Sequence, residues 1–197
     1  MTELIFLQPF ADSTATIYFM EEYKDYIDDM RVDFASVRAF AINGWQLDDT
    51  HGMPHWQRVE RNAMLLLTRD ASPAVARLFA YLHDKCRHDN LADMGHGRRA
   101  AEMLPSLRGT LLKGLNDAEF SDLVTACREH TVTARTGSPT IDICFDADRL
   151  DLGRVGITPD PARMATARGR HFAAHPADFA KAVKEFERWK AASRLPL

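Results

Sequence analysis

Apolar residues in this chain recur at spacings of three and four, and nowhere does a run of β-branched residues alternate with polar ones. That pattern leaves little room for a sheet and predicts an all-α fold. From Thr14 to Ala41, the residues Ile17, Phe19, Met20, Tyr23, Ile27, Met30, Phe34, Val37 and Phe40 mark one long or broken helix, or two. Asn43 to Pro54 reads as a loop. Further helices are predicted over His55–Arg69, Pro73–Cys86, Gly95–Met103, Asp117–His130 and Ile141–Val155. Ser72 before Pro73, and Asn116 before Asp117, supply N-caps for two of them. Gly156 to Arg170 reads as loop with one short turn after Pro161, and Gly156 as the end of the helix before it. A last helix over Pro176–Ser193 sets Phe179, Ala182, Val183, Phe186 and Trp189 on one core-facing stripe.

At 197 residues the chain suits one domain: an N-terminal helical extension (1–50), a core (51–166) and a C-terminal packing helix (176–193). A net charge of −3 offers no basic excess, so a nucleic-acid polymer is not an expected partner. No apolar run approaches the roughly 20 residues a membrane span needs, and the N-terminus lacks a signal-peptide pattern. Cys86, Cys127 and Cys144 are odd in number and show no Cys-x-x-Cys spacing, which fits reduced thiols and a cytoplasmic location. Walker, Gly-x-Gly-x-x-Gly, Gly-x-Ser-x-Gly and His-Glu-x-x-His patterns are all missing.

What the sequence does carry is a set of metal-competent side chains. His55 begins one predicted helix, the pair His83-Asp84 ends a second behind the apolar Val75, Leu78, Phe79 and Leu82, and Asp148 lies on a third. A lone histidine is usually structural or solvated. Two imidazoles and two carboxylates brought together can hold a divalent cation with positions left open for water and a substrate oxygen. His96 and His130 could extend the set to two ions; read blandly, His96 packs at a helix start and His130 complements a helix C-terminus.

In order and spacing, His55-x-x-Arg58-Val59, His83-Asp84 and Ala147-Asp148-Arg149-Leu150 resemble the H…HD…D signature of the HD-domain superfamily of metal-dependent phosphohydrolases. The resemblance spans about residues 51–166. It implies a compact helical bundle with one or two divalent ions (manganese, iron, cobalt, nickel, zinc or magnesium) held by His55, His83, Asp84 and Asp148. His96 and His130 resemble the added ligands of dinuclear members, in which Asp84 would bridge. Asp146 lies about 200° around the helix from Asp148 and so faces elsewhere; Asp148 is preferred because it precedes a basic residue, as in the superfamily pattern.

The expected activity is hydrolysis of a small phosphorylated metabolite, a nucleotide above all, by attack of metal-activated water on phosphorus, with Asp84 on the metal. Arg87, three residues after Asp84, is the favoured phosphate partner; Arg58, one turn after His55, comes next, ahead of Lys85 and Arg149. Asp89 and Asp93 are expected to orient ligand histidines. His51 reads as a solvated loop residue, with the mouth of the site as its other reading. Trp56 reads as packing, with a roof over the pocket as the alternative. His88, His171 and His175 have no arrangement that points to a role. The competing function is a non-catalytic, metal-containing module that binds a nucleotide or a protein. The acidic N-terminal stretch suits covering the site, padding the bundle or pairing two copies as a homodimer.

Overall fold

The structure, a computed structural model, describes residues 31–193. Among these residues there are eight α-helices and no strand, as the periodicity predicts: α1 (Phe34–Ile42), α2 (Met53–Leu66), α3 (Pro73–Leu82), α4 (His96–Met103), α5 (Asp117–Glu129), α6 (Pro139–Arg149), α7 (Ala167–Ala174) and α8 (Pro176–Ser193). Of the helix predicted over Thr14–Ala41, the part before residue 31 lies outside the described residues. None of the described helices is long and apolar enough to cross a membrane.

Local chemistry sets most helix starts. The Ser72 side chain accepts from the Val75 amide ahead of Pro73, and Ser138 does the same for Ile141 ahead of Pro139. Asn116 and Glu119 form a reciprocal capping box at the start of α5, with bonds of 2.9 and 3.0 Å. Helix α3 is the hub. It packs on α1, α2, α5 and α6, and every residue from Ala74 to Leu82 is buried. Even Arg77 lies inside, its Nε 2.8 Å from Glu60 Oε1, while the Tyr81 hydroxyl donates to the other Glu60 oxygen. Burial in such a core contributes roughly 1.5–3 kcal/mol per large apolar side chain. Phe179, Val183 and Trp189 on α8 pack partly buried against the core that Ala182 and Phe186 enter fully, so the C-terminal stripe does face inward.

Several boundaries differ from expectation. Helix α2 begins at Met53 and stops at Leu66. Helix α3 ends at Leu82, not Cys86, because the backbone changes from four-residue to three-residue hydrogen bonds at Lys85→Leu82 and Arg87→Asp84. His83 is thus a C-cap, and Asp84 sits on a turn. Helix α6 likewise stops at Arg149, followed by a separate 3₁₀ turn, Leu152–Val155, and it is this turn that Gly156 closes at φ 75°. The stretch expected as loop up to Arg170 holds the start of α7, capped by Thr166 on the Gly169 amide at 2.9 Å.

Candidate metal centre

Four imidazoles meet at the ends of α2, α3, α4 and α5, and each is held by its Nδ1. His83 Nδ1 donates to the carbonyls of Phe79 (3.0 Å) and Ala80 (3.1 Å), with the ring stacked on Phe79 at 4.7 Å. His130, the C-cap of α5, donates to the Cys127 carbonyl at 2.8 Å, and His96, the first residue of α4, to the Asp93 carbonyl. His55 Nδ1 lies 2.7 Å from Asp151 Oδ2. Carbonyl and carboxylate oxygens only accept, so the proton of each neutral ring is assigned to Nδ1 and the Nε2 lone pair points inward. The inward nitrogens face one another, 3.3 Å apart for His55 and His83 and 2.8 Å for His96 and His130.

Two carboxylates close the group. Asp84 Oδ2 is 3.6 Å from both His55 Nε2 and His83 Nε2, while its Oδ1 is 3.0 Å from His96 Nε2. It stands between the two histidine pairs, where a bridging carboxylate would. Asp148 Oδ1 is 3.5 Å from His55 Nε2 and 3.9 Å from His83 Nε2, and it is buried with no hydrogen-bond partner. The Asn62 amide ties α2 to α6 by donating to the Ala147 carbonyl at 3.0 Å, which fixes His55 relative to Asp148. Asp146 points away, accepting from Ala165 and Thr166 at the entry to α7 with bonds of 2.8 Å.

Burial governs the electrostatics. It pushes His83 down to about 3 and lowers His130, so these rings are neutral, as a metal ligand requires. The same burial would raise the carboxylates, yet they stay ionised. His83, the hydrogen bond from His51 and the contact with His96 hold Asp84 well below its ordinary 3.8, and Arg154 with His83, His55 and His130 brings Asp148 to about 2. Neutral nitrogens and ionised oxygens crowded together, with an orphaned buried oxygen among them, form a donor set that a borderline divalent cation satisfies. Three overlapping groups have their ligand atoms within 4.8 Å of one another: His55–His83–Asp84, His83–His130–Asp148 and Asp84–His96–His130. All six predicted ligands therefore come together.

The surroundings answer the remaining expectations unevenly. Arg87 lies where expected, its Nη1 3.5 Å from Asp84 Oδ1, on the wall of a cleft of about 290 Å³ that leads to the cluster. Arg58 does not line that cleft. Its fork grips Asp151 at 2.7 and 3.0 Å, and Asp151 in turn holds His55, so Arg58 positions the His55 ring from behind. Lys85 turns to the Asn43 carbonyl and Arg149 to the carbonyls of Thr133, Ala134 and Arg163. The outer acceptors predicted at Asp89 and Asp93 are not carboxylates on histidine: Asp89 caps the Leu91 amide, the Asp93 carboxylate pairs with Arg99, and only the Asp93 carbonyl meets His96. Trp56 is fully buried and packs edge-on against Trp45, which settles it as core.

His51 is not a solvated loop histidine. It is buried with Nδ1 3.1 Å from Asp84 Oδ2, because Arg154 Nε donates to the Thr50 carbonyl at 2.9 Å and draws the loop inward. Arg154 itself was not foreseen. Its position depends on the chain turning back after Arg149, which no spacing rule reveals. Gly97 has a further part: a β-carbon there would stand 2.5 Å from the Cys127 carbonyl oxygen and 2.9 Å from His130 Cε1, so α4 reaches α5 only because residue 97 has no side chain. A second, exposed grouping, His171–His175–Asp178, lies at the α7–α8 junction.

No family model, curated protein or solved structure matches this chain. What stands is an all-helical fold with buried histidine and aspartate groups able to bind metal.

Proposed function

We propose that the protein is a metal-dependent phosphohydrolase of the HD type, acting on a small phosphorylated metabolite such as a nucleotide. The observation that carries this reading is the convergence of four Nδ1-anchored imidazoles and two ionised carboxylates at the base of a cleft with an arginine on its wall. The resemblance of the H…HD…D spacing to that superfamily supports it.

A divalent ion bound here would supply a water acidified from about 15.7 toward 7 and would draw charge from phosphoryl oxygens. The chain's own residues supply the rest. His55, His83, Asp84 and Asp148 would hold a first ion, and His96 and His130, again with Asp84, would hold a second. Asp151, held by Arg58, fixes the ring of His55. Arg87, held beside Asp84, offers Nη1 to a phosphoryl oxygen on which charge accumulates in the transition state.

The test is turnover. Protein loaded with manganese, cobalt, nickel or iron should release phosphate from at least one member of a panel of mono-, di- and cyclic nucleotides, and Asp84→Ala should abolish that release. Complete metal loading without turnover across the panel would overturn the hydrolase reading, and tight nucleotide binding in that experiment would identify a sensor module instead.

A further inference from the structure

We propose that Arg154 and Arg87 form a two-sided anion subsite over the cluster, which selects a terminal phosphate dianion over a phosphodiester. This rests on the phosphohydrolase reading and names its substrate class.

Both arginines are moored in the same way. Arg154 lies on the 3₁₀ turn after α6, where Nε donates to the Thr50 carbonyl at 2.9 Å and Nη1 to the Asp151 carbonyl at 3.2 Å. Arg87 donates from Nε to the Asp89 carbonyl at 3.2 Å and from Nη2 to the Leu91 carbonyl. Backbone carbonyls fix a guanidinium without cancelling its charge. Arg58, by contrast, spends its fork on Asp151, and Arg99 divides its donors between the Cys86 carbonyl and the Asp93 carboxylate. The mooring leaves each cleft arginine nearest a different carboxylate of the cluster: Arg154 Nη1 is 3.6 Å from Asp148 Oδ1, with Asp151 Oδ2 at 3.9 Å behind it, and Arg87 Nη1 is 3.5 Å from Asp84 Oδ1. Their side chains are only 10% and 7% exposed, and both line the cleft that reaches the histidines.

Charge then chooses the ligand. Asp84 and Asp148 balance Arg87 and Arg154, while Asp151 is already committed to Arg58. A single divalent ion added to that balanced group leaves two positive charges in a nearly buried place, and a second ion leaves more. A phosphomonoester dianion meets that surplus, whereas a diester, with one charge, leaves part of it uncompensated at a cost that burial magnifies. Once carboxylate oxygens turn to an ion, the arginine donors facing them become available to non-bridging phosphate oxygens, in the paired geometry that guanidinium favours.

Calorimetric titration of the metal-loaded full chain with inorganic phosphate and with dimethyl phosphate tests this without requiring turnover. Phosphate should bind more tightly than dimethyl phosphate. Replacing Arg154 should weaken phosphate by about tenfold or more, the worth of one charge-assisted hydrogen bond, and leave dimethyl phosphate nearly unchanged. Arg154→Met and Arg154→Gln are both made, and ion content is measured on each, so that affinity is read from a variant with its full metal complement. Unchanged phosphate affinity in such a variant, or a wild-type preference for dimethyl phosphate, would overturn the subsite. Loss of ions from both variants would overturn it too, since Arg154 would then be holding the ligands rather than the anion. Turnover with an indifferent Arg154 sinks this proposal alone; intact phosphate binding with no turnover sinks only the hydrolase reading.

Discussion

The buried cluster at the ends of α2 to α5 and the exposed grouping at the α7–α8 junction use the same residue types, histidine and aspartate, yet hold them differently. In the buried cluster each imidazole is fixed through Nδ1 by an acceptor outside the ligand set, which turns all four Nε2 atoms toward one another and toward the carboxylates. At the junction it is a member of the grouping itself, Asp178, whose Oδ2 meets the His171 ring, 2.9 Å from Nε2. Only His175 is anchored in the other manner, through Nδ1 on the His171 carbonyl at 3.0 Å. Water reaches the junction and competes there. Having the right side chains near one another is therefore the lesser requirement; the greater is a second layer that orients them before an ion arrives.

The sharpest way to break this contrast is Asp84→Ala. Asp84 belongs to two of the three overlapping buried groups, so its loss should weaken metal binding on the order of 100-fold or more, beyond the usual effect of an outer partner. Metal analysis with chelator competition measures it; wild-type retention would mean the tightly bound ions sit elsewhere. Next comes Asp151→Asn, which keeps the size of the side chain and removes the charge behind His55. A loss of about 10–100-fold in affinity is expected from the disturbed ring. An effect as large as that of Asp84→Ala would instead make Asp151 a ligand.

Acid should separate the regions by a smaller margin. Burial sets His83 at about 3 in the folded chain against 6.5 for the free group, so between those values the unfolded state binds a proton that the folded state refuses. The stability this neutral ring confers is present above about 6.5 and is lost as pH falls toward 3. Asp148, at about 2 against 3.8, adds its own loss at the lower end. Denaturant midpoints of ion-free protein should fall between about pH 7 and about pH 5, and His83→Gln should flatten the slope. An unchanged slope would place the acid sensitivity in other groups. The smallest effect belongs to His175→Ala, at an exposed position: stability within about 0.5 kcal/mol of wild type by denaturant titration, with the ion content of the buried cluster intact. A fall in that content would show the junction to be the principal site.

The candidate ligands were legible because they depend on local order: a His-Asp pair behind an apolar stripe, and histidines at helix ends, keep their meaning wherever the helices go. The capped starts at Ser72 and Asn116 were legible for the same reason. Arg58 misled because helical spacing correctly places it one turn beyond His55 but says nothing of Asp151, which arrives from 93 residues away to claim it. Arg154 and His51 depend likewise on a meeting between two loops. Helix α7 was hidden by Gly169, which reads as a helix breaker. In the fold it is glycine because the Asp146 carboxylate occupies the place a β-carbon would take.

The bare backbone at Gly97 gives the cluster a divided inheritance. The His55–His83–Asp84 group draws on α2, α3 and the turn beyond, whereas the His96–His130 pair exists only while α4 can lean on the Cys127 carbonyl. A single codon change that adds one methyl group at residue 97 would push those two helices apart while α2 and α3 still hold His55 and His83. One mutational step thus separates the chain as it stands from one that keeps the first candidate group and loses the second.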